Sequence, residues 1–297
     1  QAIAVGTHFV RTDARAVLVG LDGRLAYADG GTFLEIDGTP VPLPDAASGT
    51  AKVLDPPYDS CVPGATIDDA CFAAKRPAAS DNLALATAIA HRQIARFAPD
   101  KLSWDWVPAV MMTSFCELHR VTKDPEILAY LQAWIDHYLE AGYTMMSSDT
   151  ASPVAVALYL WQATGEARYR AVVDDFLEYV RNEALRTPEG GLNHLGTLEI
   201  MGITLWVDSL WMVGIPLARL GEDGPEGYSP LDDARMQFQV FQQRLQEPAG
   251  FFHHAANWAL PQDEGIYWGR GNGWVLASVA EFLRLDGTPG GDRPAFA

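Results

Sequence analysis

The sequence predicts an all-α fold of antiparallel helical hairpins, preceded by a β-rich or irregular extension. Three observations predict it. From Asp81 onward, apolar residues recur at helical spacing in about eight segments. The connections between these segments are short and marked by Gly or Pro. Residues 1–80 differ in kind, with short strand-like runs separated by Asp-Gly and Gly-Gly turns, as in "GRLAYADGGTFLEIDGTPVPLP". The expected division is therefore an extension over 1–80 and a helical domain over 81–297.

The helices follow in order. "DNLALATAIAHRQIARF" opens on Asp81 as an N-cap. "DWVPAVMMTSFCELHRVT" and "PEILAYLQAWIDHYLEAG" follow, then "SPVAVALYLWQATG" and "EARYRAVVDDFLEYVRNEAL". After a Gly-rich segment come "ITLWVDSLWMVGIPLARLG", which Pro216 should kink or end, "PLDDARMQFQVFQQRLQ" and "GWVLASVAEFLRL". No fixed-period repeat is present, which argues against a consensus solenoid.

The chain has 297 residues, 48% hydrophobic and 20% charged, enough to bury a large core. Its formal net charge of −17 argues against nucleic acid and anionic membranes as partners. A small anionic ligand would need a local cation. No apolar run reaches the ~18 residues of a membrane span. Of the three cysteines, Cys61 and Cys71 sit in the loop-like stretch "CVPGATIDDAC" and are expected to form a disulfide, with Cys116 buried and free. Such a pair points to an exported protein, secreted or periplasmic, with a cytoplasmic location still open. No CxxC or HxxxH cluster suggests a metal, and no cofactor is called for.

Two carboxylates stand out. Asp208 is surrounded by Leu205, Trp206, Val207, Leu210, Trp211, Met212 and Val213, in what reads as a helix apolar nearly all round. A carboxylate there is costly unless paired or functional, and burial would raise its pKa as a general acid requires. Asp149 precedes an apolar helix, where it reads locally as an N-cap, with Ser147, Ser148 and Thr150 able to cap as well. "GIYWGRGNGWVLAS" places Trp268, Arg270, Asn272 and Trp274 among three glycines, which let the backbone approach something closely. "FFHHAANWALP" adds His253, His254 and Trp258. Trp104 and Trp106 are each core or platform residues, with the core expected to claim one.

In this order the segments resemble glycoside hydrolase families 88 and 105, the unsaturated glucuronyl and rhamnogalacturonyl hydrolases. "WGRGNGW" is the most specific match, and "WVDSLWMVGIPLAR" looks like the stretch around the family's catalytic Asp. "SSDTASPVAVALYLWQATGEARY" is similar to a stretch that usually carries paired aspartates. Here Ser148 replaces the first, and the usual Gly-Gln gives way to Pro153-Val154 or its neighbours. The resemblance covers about residues 81–285. It implies an (α/α)6 toroid, with Asp208 as general acid and then base, and Asp149 holding substrate hydroxyls or tuning Asp208. It implies a sugar-acid site of Arg270, Asn272, Trp268, Trp274, His254, Trp211 and Trp106. The substrate would be an acidic oligosaccharide carrying a 4,5-unsaturated uronic acid. An ordinary glycosidase, a sugar epimerase or a non-catalytic carbohydrate-binding protein could use the same toroid. Because the chain stops soon after Trp274, the toroid is expected to be incomplete at its C-terminus, and its uncovered apolar faces favour a homo-oligomer.

Overall fold

The computed structural model describes residues 79–199, 202–257 and 267–286, together with the backbone of seven strands between Ala2 and Leu54. Cys61, Cys71 and Trp258 lie outside the described residues. Two compact units divide the chain, Gln1–Ala84 and Leu85–Ala297. In the first, strands β1 (Ala2–Val5), β2 (His8–Thr12), β5 (Leu34–Ile36) and β6 (Thr39–Val41) form one antiparallel sheet in the order β1-β2-β5-β6. A second antiparallel sheet contains β3 (Val17–Val19), β4 (Leu25–Tyr27) and β7 (Lys52–Leu54).

The second unit is helical. Helix α1 (Ala79–Arg96) enters it; α2 (Trp106–Thr122) and α3 (Pro125–Ala141) pack as a hairpin. Their junction is fixed by chemistry. Lys123 takes the left-handed conformation at φ 55°, Asp124 Oδ1 accepts from the Glu126 N–H, and Pro125 opens α3. α3 buries Ile127, Leu131, Trp134 and Ile135, one stripe at helical spacing. A single turn, α4 (Ser148–Ala151), runs through Pro153 into α5 (Val154–Thr164), which is buried on nearly every side. Helix α6 (Ala167–Glu178) pairs with α5 and ends in a wider π turn, Tyr179–Glu183. A second π turn, Leu210–Gly214, leads into α7 (Ile215–Leu220), which pairs with α8 (Pro230–Leu245). Helix α9 (Gly269–Asp286) packs on α7.

Counting α4–α5 as one broken rod, these described elements make eight rods. α2, α5, α7 and α9 are successive neighbours in an inner layer, and α3, α6 and α8 stand outside them. All four inner helices border one cavity of about 750 Å³, lined by Glu117, Gln162, Arg219 and Glu281 among others. Cys116 is buried and free, and burial pushes its thiol far above the usual range. Among the described residues no helix is long and apolar enough to cross a membrane.

Three sequence expectations are corrected here. Residues 203–208 are not helical. Leu205–Trp206 form a short strand, β8, paired antiparallel with β9 (Ala255–Ala256), and Asp208 sits in the turn that follows. Pro216 does not end its helix: it stands in the first turn of α7, directly after the π turn Leu210–Gly214, where the helix is already irregular and its missing N–H is tolerated. The last helix begins at Gly269, four residues ahead of the expected Gly273, so Arg270, Asn272 and Trp274 stand on its first turns.

Candidate active site

The sequence-predicted residues gather where the inner helices begin. Trp106 is the first residue of α2, Asp149 lies in α4 ahead of α5, Asp208 precedes the turn into α7, and Arg270 is the second residue of α9. Helix N-termini carry partial positive charge and unsatisfied N–H groups, so this end of the layer favours an anion.

Asp149 owes its availability to its neighbours. The cap of α4 is Ser147, whose hydroxyl accepts from the Thr150 N–H, while Thr150 Oγ1 accepts from the Ser147 N–H. That reciprocal pair leaves the Asp149 carboxylate without a capping task, and its Oδ1 lies 3.7 Å from His194 Nε2. Burial first, then the charges of Asp105 and Asp208, push the Asp149 pKa up to about 6.

Asp208 is the more deeply placed carboxylate, its side chain 12% exposed. Burial raises its pKa; its own backbone N–H, His254 and Arg270 pull it partly back. The β8–β9 pairing puts His254 beside it, because the Val207 N–H donates to the His254 carbonyl one step beyond the ladder. His254 Nε2 and Asp208 Oδ2 stand 3.9 Å apart, and neither atom has a hydrogen-bond partner among the described residues. Two buried polar atoms with no partner, facing each other, are what a polar ligand would satisfy.

Aromatic rings build the walls. His194 stacks on Trp206 at 4.3 Å, and His254 meets the edges of Trp206 and Trp268 at 5.0 and 4.7 Å. The Arg270 guanidinium lies over Trp268 at 4.2 Å and over Trp106 at 5.2 Å. No carboxylate among the described residues pairs with it, which leaves its planar fork for an incoming one. Gly271 is required by close approach. A Cβ there would come within 2.8 Å of the Trp268 ring and 2.9 Å of Val207 Cγ2.

Other expected residues hold different positions. Asn272 gives its amide to the backbone: Oδ1 accepts from the Phe252 N–H and Nδ2 donates to the Phe252 carbonyl. It thereby ties the segment bearing His254 to α9. Replacing it, Asn272→Ala, should cost about 1–2 kcal/mol in denaturant unfolding and raise KM through a loosened His254. Trp211 and Trp274 pack on each other at 5.9 Å, and Trp211 lines the inner cavity. Trp104 is core: buried, stacked on Tyr143, with its indole N–H on the Thr150 carbonyl.

Sequence reasoning missed Asp105, Ser209 and His194. Asp105, just ahead of α2, had a signal in its place between Trp104 and Trp106. His194 follows a Gly-rich segment with no local pattern to mark it. That segment is held by Arg186, which grips buried Asp233 through both guanidinium nitrogens, and by Gln237, which accepts from the Leu192 N–H. Among the described residues no group of three or more His, Cys, Asp or Glu is arranged to hold a metal ion.

Known proteins share this arrangement. The family profile described as Glycosyl Hydrolase Family 88 matches residues 84–293. The chain is 30% identical over 203 residues to the unsaturated rhamnogalacturonyl hydrolase YesR of Bacillus subtilis (strain 168), covering 67% of this chain and 59% of that protein. A possible member of the GH105 family from Klebsiella pneumoniae matches in structure with a TM-score of 0.56 at 26% identity, over 64% of this chain and 50% of that one. The family 105 glycoside hydrolase of C. acetobutylicum matches with a TM-score of 0.60 at 20% identity, over 70% and 60% of the two chains, a likeness of fold. The chain thus spans between half and three-fifths of the length of these relatives, and its helical layers are those of the (α/α)6 toroid. With the family profile covering most of the helical unit and the aspartates, the aromatic walls and Arg270 all lying inside it, this chain belongs to glycoside hydrolase family 88.

Proposed function

We propose that the protein removes a 4,5-unsaturated uronic acid from the non-reducing end of lyase-generated oligosaccharides. The observation that carries this reading is Arg270, a cation with no carboxylate partner among the described residues, held between Trp106 and Trp268 beside Asp208, in a chain of net charge −17. An acidic protein that takes an acidic sugar needs such a local fork, and its planar geometry suits a carboxylate conjugated to a ring double bond. The kinship with an unsaturated rhamnogalacturonyl hydrolase supports the same class of substrate.

The chemistry follows from an alkene that is also a vinyl ether. Asp208, whose hold on a proton burial strengthens, donates that proton to C4, and positive charge develops at C5, shared with the ring oxygen. Water adds at C5 and gives a proton back to the Asp208 carboxylate, which is thereby restored. The resulting hemiketal collapses and releases the next sugar. The cation arises from protonation, not from departure of a leaving group, so the separation of the carboxylates does not dictate retention or inversion. Asp149 holds substrate hydroxyls and keeps a second negative charge near the developing cation. Its charge and that of Asp208 oppose each other, so the two titrate as a pair.

The test is a panel of unsaturated disaccharides produced by lyases from pectin, rhamnogalacturonan and glycosaminoglycans. Turnover should appear as loss of the near-ultraviolet absorbance of the conjugated acid. Cleavage of saturated glycosides with that absorbance left untouched would replace this reading with an ordinary glycosidase.

A further inference from the structure

Beneath the two aspartates lies a buried chain of hydroxyls that the reaction above does not use. Ser148 and Ser209 each adjoin one of the aspartates in sequence, and both are buried. Ser148 Oγ lies 2.9 Å from Ser209 Oγ, and Ser209 Oγ lies 3.0 Å from His194 Nδ1. The Ser148 N–H donates to the His194 carbonyl at 2.9 Å, which fixes the imidazole over the pair. The other ring nitrogen, Nε2, faces Asp149 Oδ1 at 3.7 Å.

The geometry points to a serine relay, Ser148 to Ser209 to His194, that locks His194 with its proton on Nε2 and makes it a positioning residue for Asp149. Proton bookkeeping decides the direction. The two hydroxyls bring two protons, and neither has another acceptor among the described residues. If Ser148 donates to Ser209 and Ser209 donates to Nδ1, both are satisfied, and the ring proton must sit on Nε2. If Nδ1 carried the proton and donated to Ser209, one buried hydroxyl would keep a hydrogen with nowhere to go. A second proton on the ring is disfavoured as well. Burial first, and then the neighbouring His254, hold the His194 pKa down to about 3, so the imidazole is neutral.

The consequence falls on Asp149. At 3.7 Å the pair is not hydrogen-bonded, so the ring acts through its dipole: a proton on Nε2 favours the charged carboxylate, and a lone pair there would favour the protonated one. The charged groups facing Asp149 push toward protonation: Asp105 ahead of α2 and Asp208 ahead of α7. The Tyr179 phenol, which follows α6, stays neutral there, its own ionisation opposed by burial and by the charges of Glu183 and Asp149. His194 is then the neutral dipole that opposes the two aspartates. This assigns a task inside the proposed reaction, yet the proton's place on the ring does not depend on which sugar is processed.

The experiment reads the proton directly. Nitrogen-15 spectra of histidine-labelled protein, with His194 assigned by its loss in His194→Gln, should show a protonated Nε2 and a bare Nδ1, unchanged from about pH 5 to about pH 8. Carbon-13 spectra should follow the Asp149 carboxyl. In Ser209→Ala the ring should become a mixture of tautomers, and the Asp149 midpoint should rise by about half a pH unit or more. Ser209→Thr, which keeps a hydroxyl, should restore both. A proton on Nδ1 in the unmodified protein overturns the proposal without any variant having to fold. So does a Ser209→Ala protein in which neither the ring nor the Asp149 titration changes. If the spectra hold but no unsaturated sugar is turned over, the relay stands and the functional reading alone fails.

Discussion

Asp208→Asn should lower kcat by about 10²–10⁴-fold on any unsaturated disaccharide that the protein accepts, with KM nearly unchanged. The carboxamide keeps the shape of the side chain but has no acid proton to give C4, and protonation is the step from which the cation arises. The fold should survive. The folded-state pKa of Asp208 is raised, so the proton is bound more readily in the native than in the unfolded chain. Stability from this group is therefore present at low pH and lost as pH rises through the folded pKa. An amide escapes that loss, so the variant should melt no lower than the parent at neutral pH. Asp149→Asn should be impaired but retain measurable turnover, as a holder of hydroxyls. If Asp149→Asn is the inert protein and Asp208→Asn the leaky one, the two roles are exchanged.

Arg270→Ala should lower kcat/KM by roughly 30- to 1000-fold, about 2–4 kcal/mol, because two charge-assisted hydrogen bonds to the sugar carboxylate disappear together. Most of the loss should appear in KM. Arg270→Lys should recover only part of it: an ammonium restores the charge but neither the fork nor the flat face that lies on Trp268 and Trp106. Steady-state kinetics on one good disaccharide, with a neutral methyl-ester analogue as control, separate the carboxylate contact from general damage. The ester should be handled equally by parent and variant. A preference of the parent for the acid that persists unchanged in Arg270→Ala would place the carboxylate elsewhere.

The helical domain was legible because its signal is periodic and repeated: stripes such as Ile127, Leu131 and Trp134 on α3 need no distant information. Asp208 was legible as a buried acid for the same reason, since apolar residues flank it on both sides. Its secondary structure was not. Leu205–Trp206 become a strand only because Ala255–Ala256 lie opposite, about fifty residues away, and no local period announces that pairing. Asp149 read locally as a cap; the hydroxyls of Ser147 and Thr150 took that position, a competition among four adjacent capping residues that tertiary context decides. Asn272 looked like a sugar contact because an amide among glycines suits one. Its actual partner, the backbone of Phe252, lies twenty residues upstream. His194 left no trace in the sequence because its meaning lies in Ser209 and Asp149, which reach it only in three dimensions.

The cap at Ser147 has a wider consequence. It separates architecture from chemistry at adjacent positions: the helix start is held by Ser147 and Thr150, and Asp149 has no duty in keeping the backbone together. A residue without structural duties is free to vary. Substitutions at position 149 can redirect what the site does to a sugar while the turn beneath them stays folded, so the scaffold can explore new reactions without first surviving a loss of stability.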